Sequence, residues 1–190
     1  MKKVLATIIA LLPLMSWGQS FTLTPEGWMS AEEPTNNYIV FPMEGTKAEL
    51  FQKAKTAVTA TFKSAKDVMS YNEPDIITIN GYTDCIYEKI MGMRFDFGMR
   101  YTMQILFKDG KIRFNAPDAY EAEYTGQNRA FYYLRPGSGG AMSGTRYVFD
   151  KNGKLKKKDQ KKQVEDYFNN LVNTIVDKMK NGGVAVDEDW

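Results

Sequence analysis

The chain has 190 residues, of which 43% are hydrophobic and 25% charged, and its formal net charge is +2. This composition is typical of a globular protein and excludes a disordered or fibrous chain. The sequence contains no histidine and one cysteine, which excludes histidine-based triads, histidine-ligated metals and paired-cysteine redox or zinc motifs.

Residues 1–18 have the pattern of a secretory signal peptide. Two lysines precede an apolar run over residues 4–15, and small residues stand before a predicted cleavage site ahead of Gln19. The run is shorter than the roughly 20 residues that a membrane-spanning helix needs. We therefore expect an exported protein without a transmembrane segment, either periplasmic or secreted. A lipoprotein is not expected, because the only cysteine, Cys85, lies far from the cleavage site.

The charge balance argues against a nucleic-acid partner. Without residues 1–18, the chain has 23 basic and 23 acidic residues, and general nucleic-acid binders carry a strong positive charge. A lone cysteine cannot form an intramolecular disulfide, so the fold must be held by its core. We interpret Cys85 as a half-buried small apolar residue; an intermolecular disulfide or a reactive thiol is the alternative.

The first elements are predicted from local signals. Residues 19–37 have no sustained period and are predicted to be a mostly extended leader before a single domain over residues 38–181. Tyr38–Phe41 is β-branched and aromatic and predicts a strand. Thr46 and Glu49 have the spacing of a capping box, in which each side chain accepts a hydrogen bond from the other residue's backbone N–H. A helix with one buried face is expected to follow.

Alternating apolar and polar residues then predict a run of strands. They are expected at residues 68–71, 76–87, 93–107 and 111–114. Asp109-Gly110 is a strong hairpin signal between the last two.

Residues 117–145 interrupt this pattern. Tyrosines and a phenylalanine stand among polar residues, and a glycine-rich run follows, so we predict a long aromatic loop. Residues 146–149 and 154–155 then flank Lys151-Asn152-Gly153, which indicates a second short hairpin or a strand end. A final amphipathic helix begins near Asp159. Asn181-Gly182-Gly183 gives a C-cap signal, after which residues 182–190 form an acidic tail.

Together these elements predict an α+β fold. Two amphipathic helices each need an apolar surface, and an antiparallel sheet with one apolar face supplies it. We expect about five strands in the order β-α-β-β-β-β-α, with both helices packed on one face of the sheet. The other face would be exposed to solvent or free to meet a partner.

Three stretches carry a resemblance to a known family. They are the strand at Tyr38–Phe41, the end of the first helix at Phe62–Val68, and the strand pair over residues 101–113. In them the chain resembles exported proteins of Bacteroides-type bacteria that carry a domain of unknown function with a TATA-binding-protein-like fold. The resemblance covers about residues 37–118 and includes no catalytic signature. It implies a fold and not DNA binding, because one fold supports many functions.

Two clusters form the candidate partner surface. The aromatic segment combines large rings with arginines, which are enriched at interface hot spots and suit stacking on sugars. Residues 146–162 add eight basic residues against two acidic ones. For the aromatic segment, the alternative is that the rings fold back over the open end of the core. For the basic residues, it is a solvated run that pairs with acidic segments of the chain. The candidate residues are Tyr120, Tyr124, Phe131, Tyr132, Tyr133, Arg135, Lys156, Lys157 and Lys158.

No catalytic, cofactor-binding or metal-binding residue is predicted. The serines lack a nucleophile motif and there is no histidine to act as base. We therefore expect a non-enzymatic exported domain that binds a macromolecule or cell-envelope component, with an unknown protein or a glycan as partner. The alternative is a carrier that holds a small apolar ligand between sheet and helices, for which an enclosed apolar cavity would be the sign.

Overall fold

The computed structural model describes residues 19–126, 129–139 and 144–181. The predicted signal peptide, the predicted acidic tail and the two glycines of the expected C-cap lie outside these ranges. No helix within them is long and apolar enough to span a membrane.

Ten strands and three helices make up the described chain. In order they are β1 (Phe21–Thr24), β2 (Gly27–Ser30), β3 (Tyr38–Pro42), α1 (Lys47–Thr61), α2 (Ala65–Val68), β4 (Met69–Asn72), β5 (Ile76–Ile90), β6 (Met93–Lys108), β7 (Lys111–Asn115), β8 (Glu121–Tyr124), β9 (Phe131–Gly137), β10 (Thr145–Asp150) and α3 (Lys158–Lys180). The predicted capping box is present at the start of α1, where both hydrogen bonds between Thr46 and Glu49 form.

The long strand β6 is the centre of an eight-stranded sheet. β5 pairs with one edge of β6 along nearly its whole length. On the other edge, β7 pairs with the C-terminal end of β6 and β8 pairs with it at Phe97 and Gly98. β4 extends the sheet beyond β5, β3 pairs with β7, and β9 followed by β10 extend it beyond β8.

Both long helices cover the same face of this sheet. In β6, buried residues alternate with more exposed ones from Phe97 to Phe107, because successive side chains of a strand point to opposite faces. On the buried face, Phe51 of α1 packs edge to face on Phe107, with 5.5 Å between ring centroids. Phe168 of α3 packs in the same way on Tyr101, at 5.1 Å. The predicted fold class, α+β with helices on one face of a sheet, is confirmed.

The sheet is larger than expected, with eight strands where about five were predicted. The additional strands include β8 and β9, which lie in residues 117–145, where a long loop was predicted. That prediction was wrong because rings stand on both faces of β9: Tyr132 is buried, while Phe131 and Tyr133 on either side of it are partly exposed. Aromatic residues on both faces hide the alternation of hydrophobicity by which a strand is recognised.

One pairing at the edge of the sheet departs from the antiparallel arrangement that was predicted. β9 and β10 run parallel, from Phe131 opposite Thr145 to Gly137 opposite Asp150, with an irregularity near Val148. Parallel neighbours cannot be joined by a tight turn. The short-range turn signals of the sequence therefore carry no information about this pairing.

The predicted leader is a hairpin that belongs to the core. β1 and β2 pair with each other, and Phe21, Leu23 and Trp28 are buried. The hairpin packs on α3, where the Asn169 side chain accepts a hydrogen bond from the Phe21 N–H at 2.7 Å and donates one to the Phe21 carbonyl at 2.9 Å. Residues 19–37 therefore contribute apolar side chains to the domain and are not a detached extension.

Within the described residues, neither of the long helices α1 and α3 covers the opposite face of the sheet. We call it the open face, and the register places on it Asn80, Tyr82, Arg100, Thr102, Glu121, Glu123, Phe131, Tyr133 and Tyr147. Its side chains are a mixture of aromatic, polar and charged residues, whereas β6 places apolar and aromatic side chains on the helix-covered face.

Candidate functional site

The alternation along β9 places two of the predicted aromatic residues on the open face. Phe131 and Tyr133 lie there, and Tyr147 of β10 stands directly beside Tyr133 in the register. The ring centroids are 6.2 Å apart between Phe131 and Tyr133 and 5.2 Å apart between Tyr133 and Tyr147, with interplanar angles of 28° and 22°. These three residues form a continuous stack, which we call the aromatic row.

Charged side chains border the aromatic row. Glu121 lies opposite Tyr133 in the β8–β9 pair. Partial desolvation, followed by the neighbouring Glu121 carboxylate, raises the pKa of the Tyr133 hydroxyl. At the end of the row, the Arg129 guanidinium lies 5.8 Å from the Phe131 ring centroid. The aromatic row therefore offers apolar ring surface, bordered by a carboxylate that can accept hydrogen bonds and a guanidinium that can donate them.

A broad groove of about 1050 Å³ crosses the open face next to the aromatic row. It runs over Gly98, where no side chain separates the backbone from the Tyr82 ring: a Cβ placed at Gly98 would lie 1.8 Å from the Tyr82 hydroxyl oxygen. Tyr82 is 59% exposed. The groove is also lined by the polar side chains Asn80, Arg100, Thr102, Asp118, Glu121 and Glu123.

The structure divides the other predicted aromatic candidates between the surface and the core. Tyr120 is half-buried, and the Arg135 guanidinium lies 3.8 Å from its ring centroid in a cation–π contact. Tyr124 packs on Phe97, with 5.6 Å between ring centroids. Tyr132 is 0% exposed, so its assignment to an exposed partner surface was wrong. The reason is geometric, since adjacent residues of a strand face opposite ways.

Tyr132 instead belongs to a charged cluster on the helix-covered side. Glu88 lies at its centre, with a side chain only 14% exposed. Its Oε1 accepts hydrogen bonds from Lys157 at 2.5 Å and from the Tyr132 hydroxyl at 3.2 Å, and its Oε2 accepts one from Arg146 at 2.7 Å. The cluster joins β5, β9, β10 and the residue before α3.

The three predicted lysines are not equivalent. Lys157 is engaged by Glu88, Lys156 pairs with Asp150 at 3.4 Å, and Lys158 is exposed at the start of α3. They lie at the end of the sheet near the β5–β6 turn. The candidate residues predicted from the sequence thus separate into an aromatic group on the open face and a basic group at the end of the sheet.

The Glu88 cluster predicts a loss of stability in acid. Burial by itself raises the pKa of Glu88, but the Lys157 hydrogen bond and the charges of Lys157 and Arg146 outweigh it and hold the pKa below its ordinary value. A lowered pKa stabilises the fold above the unfolded-state value of about 4.3, and this contribution is lost as the pH falls below it. We expect Glu88→Gln to be less stable than wild type at pH 7, with the difference shrinking toward pH 3 in thermal unfolding.

The matched control for this prediction is Glu121→Gln on the open face. Glu121 is exposed, and exposed charges contribute little to stability. Its unfolding midpoint is expected to follow that of wild type throughout. A Glu88→Gln variant whose deficit is as large at pH 3 as at pH 7 would show that the carboxylate charge is not what stabilises this end of the sheet.

Sequence reasoning missed Tyr82, Tyr147 and Glu88. Tyr82 could have been found, because it follows Thr78 and Asn80 at two-residue spacing on the solvent side of β5. For Tyr147, the sequence did not indicate which face of the sheet its side chain occupies. Glu88 carries no local signal, because its partners are 44 to 69 residues away in the chain. No three cysteine or carboxylate side chains converge as metal ligands within residues 19–126, 129–139 and 144–181.

Comparison with known families agrees with this geometry. Residues 39–120 match the family described as a domain of unknown function (DUF4468) with TBP-like fold. The match runs from β3 to the residue before β8 and confirms the resemblance expected from the sequence over that region. The aromatic row and α3 lie beyond it.

Two solved structures from Bacteroidetes are similar to the chain. A TBP-like protein from Parabacteroides distasonis is 14% identical, with a TM-score of 0.52 over 76% of this chain and 92% of that one. A DUF4468 family protein from Bacteroides ovatus is 11% identical, with a TM-score of 0.46 over 75% of this chain and 83% of that one. The first likeness shows a TBP-like fold and no more than the fold. None of the curated proteins matches the sequence.

Proposed function

We propose that this protein is an exported, non-enzymatic binding module that holds a glycan of the cell envelope along its open face. The observation that carries the proposal is the aromatic row of Phe131, Tyr133 and Tyr147 beside a groove with an exposed tyrosine, Tyr82. Export rests on the signal-peptide pattern of residues 1–18.

The chemistry of the groove suits a sugar chain. Aromatic rings bury the apolar faces of a ligand, while their edges and hydroxyls remain available for hydrogen bonds. Arginine, asparagine, threonine and carboxylate side chains line the same groove, so donors and acceptors for ring hydroxyls alternate along it. Arg100 is balanced there by Asp118, Glu121 and Glu123, which disfavours a polyanion such as nucleic acid.

The carboxylates of the groove support binding without catalysis. Asp118, Glu121 and Glu123 are all exposed. A glycosidase needs a pair of carboxyl groups, one of them kept protonated by a shielded environment. Exposed carboxylates are suited to accept hydrogen bonds from a bound sugar, and that is the role proposed for them.

The packing between sheet and helices gives less support to the alternative of an apolar-ligand carrier. Phe51, Tyr101, Phe107 and Phe168 fill the space where such a ligand would lie, and each is buried. A carrier needs an enclosed apolar cavity at that place. The groove on the open face is instead lined by polar and aromatic side chains together.

The proposal predicts glycan binding that depends on the open face. The chain from Gln19 onward would be applied to an array of cell-envelope oligosaccharides, peptidoglycan fragments included, and the strongest ligand then titrated by calorimetry. Tyr133→Ala and Tyr82→Ser are each expected to weaken binding about tenfold, equivalent to about 1.4 kcal/mol, because each removes a ring surface that contacts the sugar.

Two comparisons make this test specific. Met91→Asn, at the far turn of the β5–β6 hairpin, is expected to bind the glycan as wild type does. The oligosaccharide recovered after long incubation should be unchanged in mass. Binding that survives loss of both Tyr82 and Tyr133 would contradict the assignment of the site, and cleavage of the glycan would contradict a non-enzymatic role.

A further inference from the structure

The β5–β6 hairpin extends beyond the strands that flank it. β8 pairs with β6 only at Phe97 and Gly98, whereas β5 and β6 continue to pair as far as Ile90 and Met93. The helix α3 reaches the hairpin at Tyr87, whose N–H donates to Gln163 and whose carbonyl accepts from Gln160. The end of the hairpin, residues 90–93, lies past these contacts, and we call it the hairpin tip.

The hairpin tip is apolar although it is exposed. Ile90, Met91 and Met93 are 39%, 95% and 59% exposed. They are three of the six large apolar side chains exposed in the described chain, and a fourth, Leu155, belongs to the basic segment before α3. A concentration of exposed apolar side chains marks a place where a protein meets a partner or a membrane.

The backbone at the hairpin tip holds its most exposed side chain at a conformational cost. Met91 has a φ of 51° and Gly92 a φ of 82°, so both central residues of the turn are in the left-handed region. Asn-Gly or Gly-Gly is the usual sequence for such a turn, because other side chains are strained there. A methionine at this position places an apolar side chain outermost, where a polar residue would fit the turn better.

Positive charge lies beside the β5 strand next to the hairpin tip. Two grooves, of about 550 and 740 Å³, share the lining residues Glu88, Lys156 and Lys157 and reach the hairpin along β5. Their lining contains three carboxylates and six cations. We call the six cations the basic belt: Lys89, Arg146, Lys151, Lys156, Lys157 and Lys158. Among the described residues, Lys89, Lys151 and Lys158 have no ion-pair partner within 4.0 Å, so their charge is available to a ligand.

We infer that this end of the molecule docks on an anionic lipid bilayer. The hairpin tip enters the interfacial region of the bilayer, and the basic belt contacts the headgroups. A membrane surface has an apolar layer of acyl chains covered by a layer of negatively charged headgroups. The apolar hairpin tip matches the first layer, and the basic belt matches the second. A protein partner would have to present the same two layers over the same depth.

Vesicle flotation tests this inference. The chain from Gln19 onward is used, because the apolar run at residues 4–15 would bind lipid by itself. It is mixed with vesicles of equal parts phosphatidylglycerol and phosphatidylcholine, or of phosphatidylcholine alone. We expect binding to the anionic vesicles that weakens as salt is added, and at least about tenfold weaker binding to the neutral ones.

Variants assign the two parts of the surface. Met91→Asn with Met93→Thr should reduce binding to anionic vesicles by about tenfold or more, because the apolar area that enters the interface is removed. Lys151→Gln and Lys158→Gln should each reduce it about fivefold. Tyr82→Ser is the matched control, since Tyr82 is 59% exposed like Met93 but lies on the open face; its vesicle binding should equal that of wild type.

Three outcomes would overturn the inference. They are a wild-type chain that stays unbound at low salt, methionine variants that float as wild type does, and a loss with Tyr82→Ser as large as that with the tip variants. If the wild type ignores vesicles but forms a concentration-dependent dimer that Met91→Asn abolishes, the hairpin tip serves contact between copies instead. Asparagine suits a left-handed turn, so the Met91→Asn variant is expected to fold.

Discussion

Replacing Tyr132 with alanine is expected to lower the free energy of unfolding by about 3–5 kcal/mol, the usual cost of deleting a buried aromatic ring. Tyr132 is 0% exposed and packs edge to face on Phe97, with 5.0 Å between ring centroids. Its hydroxyl also donates to Glu88. In a domain of this size each kcal/mol corresponds to about 2–4 °C, so thermal unfolding should show a drop of roughly 10 °C.

The adjacent residue supplies the comparison for this prediction. Tyr133→Ala removes a ring of the same size from the opposite face of the same strand, where it is only partly buried. Its cost is expected to stay near 1 kcal/mol. If the two variants unfolded at the same temperature, the assignment of the two faces of β9 would be wrong, and the aromatic row would lose its place on the open face.

Replacing Trp28 with alanine is expected to cost a similar 3–5 kcal/mol. Trp28 is 2% exposed and meets Phe168 of α3 edge to face at 5.2 Å. Its indole N–H donates to the Ala119 carbonyl at 3.1 Å. The variant would leave both a cavity and an unsatisfied carbonyl, and urea unfolding monitored by circular dichroism would measure the loss.

Trp28→Phe separates these two contributions. Phenylalanine keeps most of the ring packing but cannot donate to Ala119, so its cost should be about 1–2 kcal/mol. A Trp28→Ala variant with wild-type stability would mean that residues 19–37 lie outside the domain, as the extended leader predicted from the sequence does, and that the hairpin adds nothing to the core.

Where the sequence was informative, the signal was local. The capping box at Thr46 and Glu49 marks the start of α1, and two-residue alternation identifies β6. The apolar period of α3 continues through Met179, close to the predicted end of that helix. Each of these features is set by residues a few positions apart, which is the range over which propensity and periodicity act.

Other features depend on contacts between distant parts of the chain. The hairpin of β1 and β2 is held by hydrogen bonds to α3, and no pattern within residues 19–37 indicates that it packs on this helix. The parallel pairing of β9 with β10 likewise has no turn sequence to mark it. The same holds for Glu88. In the sequence it looks like any carboxylate of an exposed strand, and only the folded chain brings Arg146 and Lys157 beside it.

The aromatic residues were identified as a group but not sorted. Composition singles out residues 120–135, yet Tyr132 and Tyr133 differ only in which way the strand turns them. Sorting them requires knowing that the segment is a strand, and rings on both faces obscure that. The candidate residues of this segment therefore include side chains of both the open face and the core.

The two hydrogen bonds between the Asn169 side chain and the Phe21 backbone affect the order in which the chain folds. They join residues 148 positions apart, so the first strand has no docking place until the chain has been synthesised as far as α3. Structures dominated by such distant contacts form slowly. A growing chain of this protein cannot complete its fold until α3 has been made, so the export proposed above would act on an unfolded polypeptide if it began before that point.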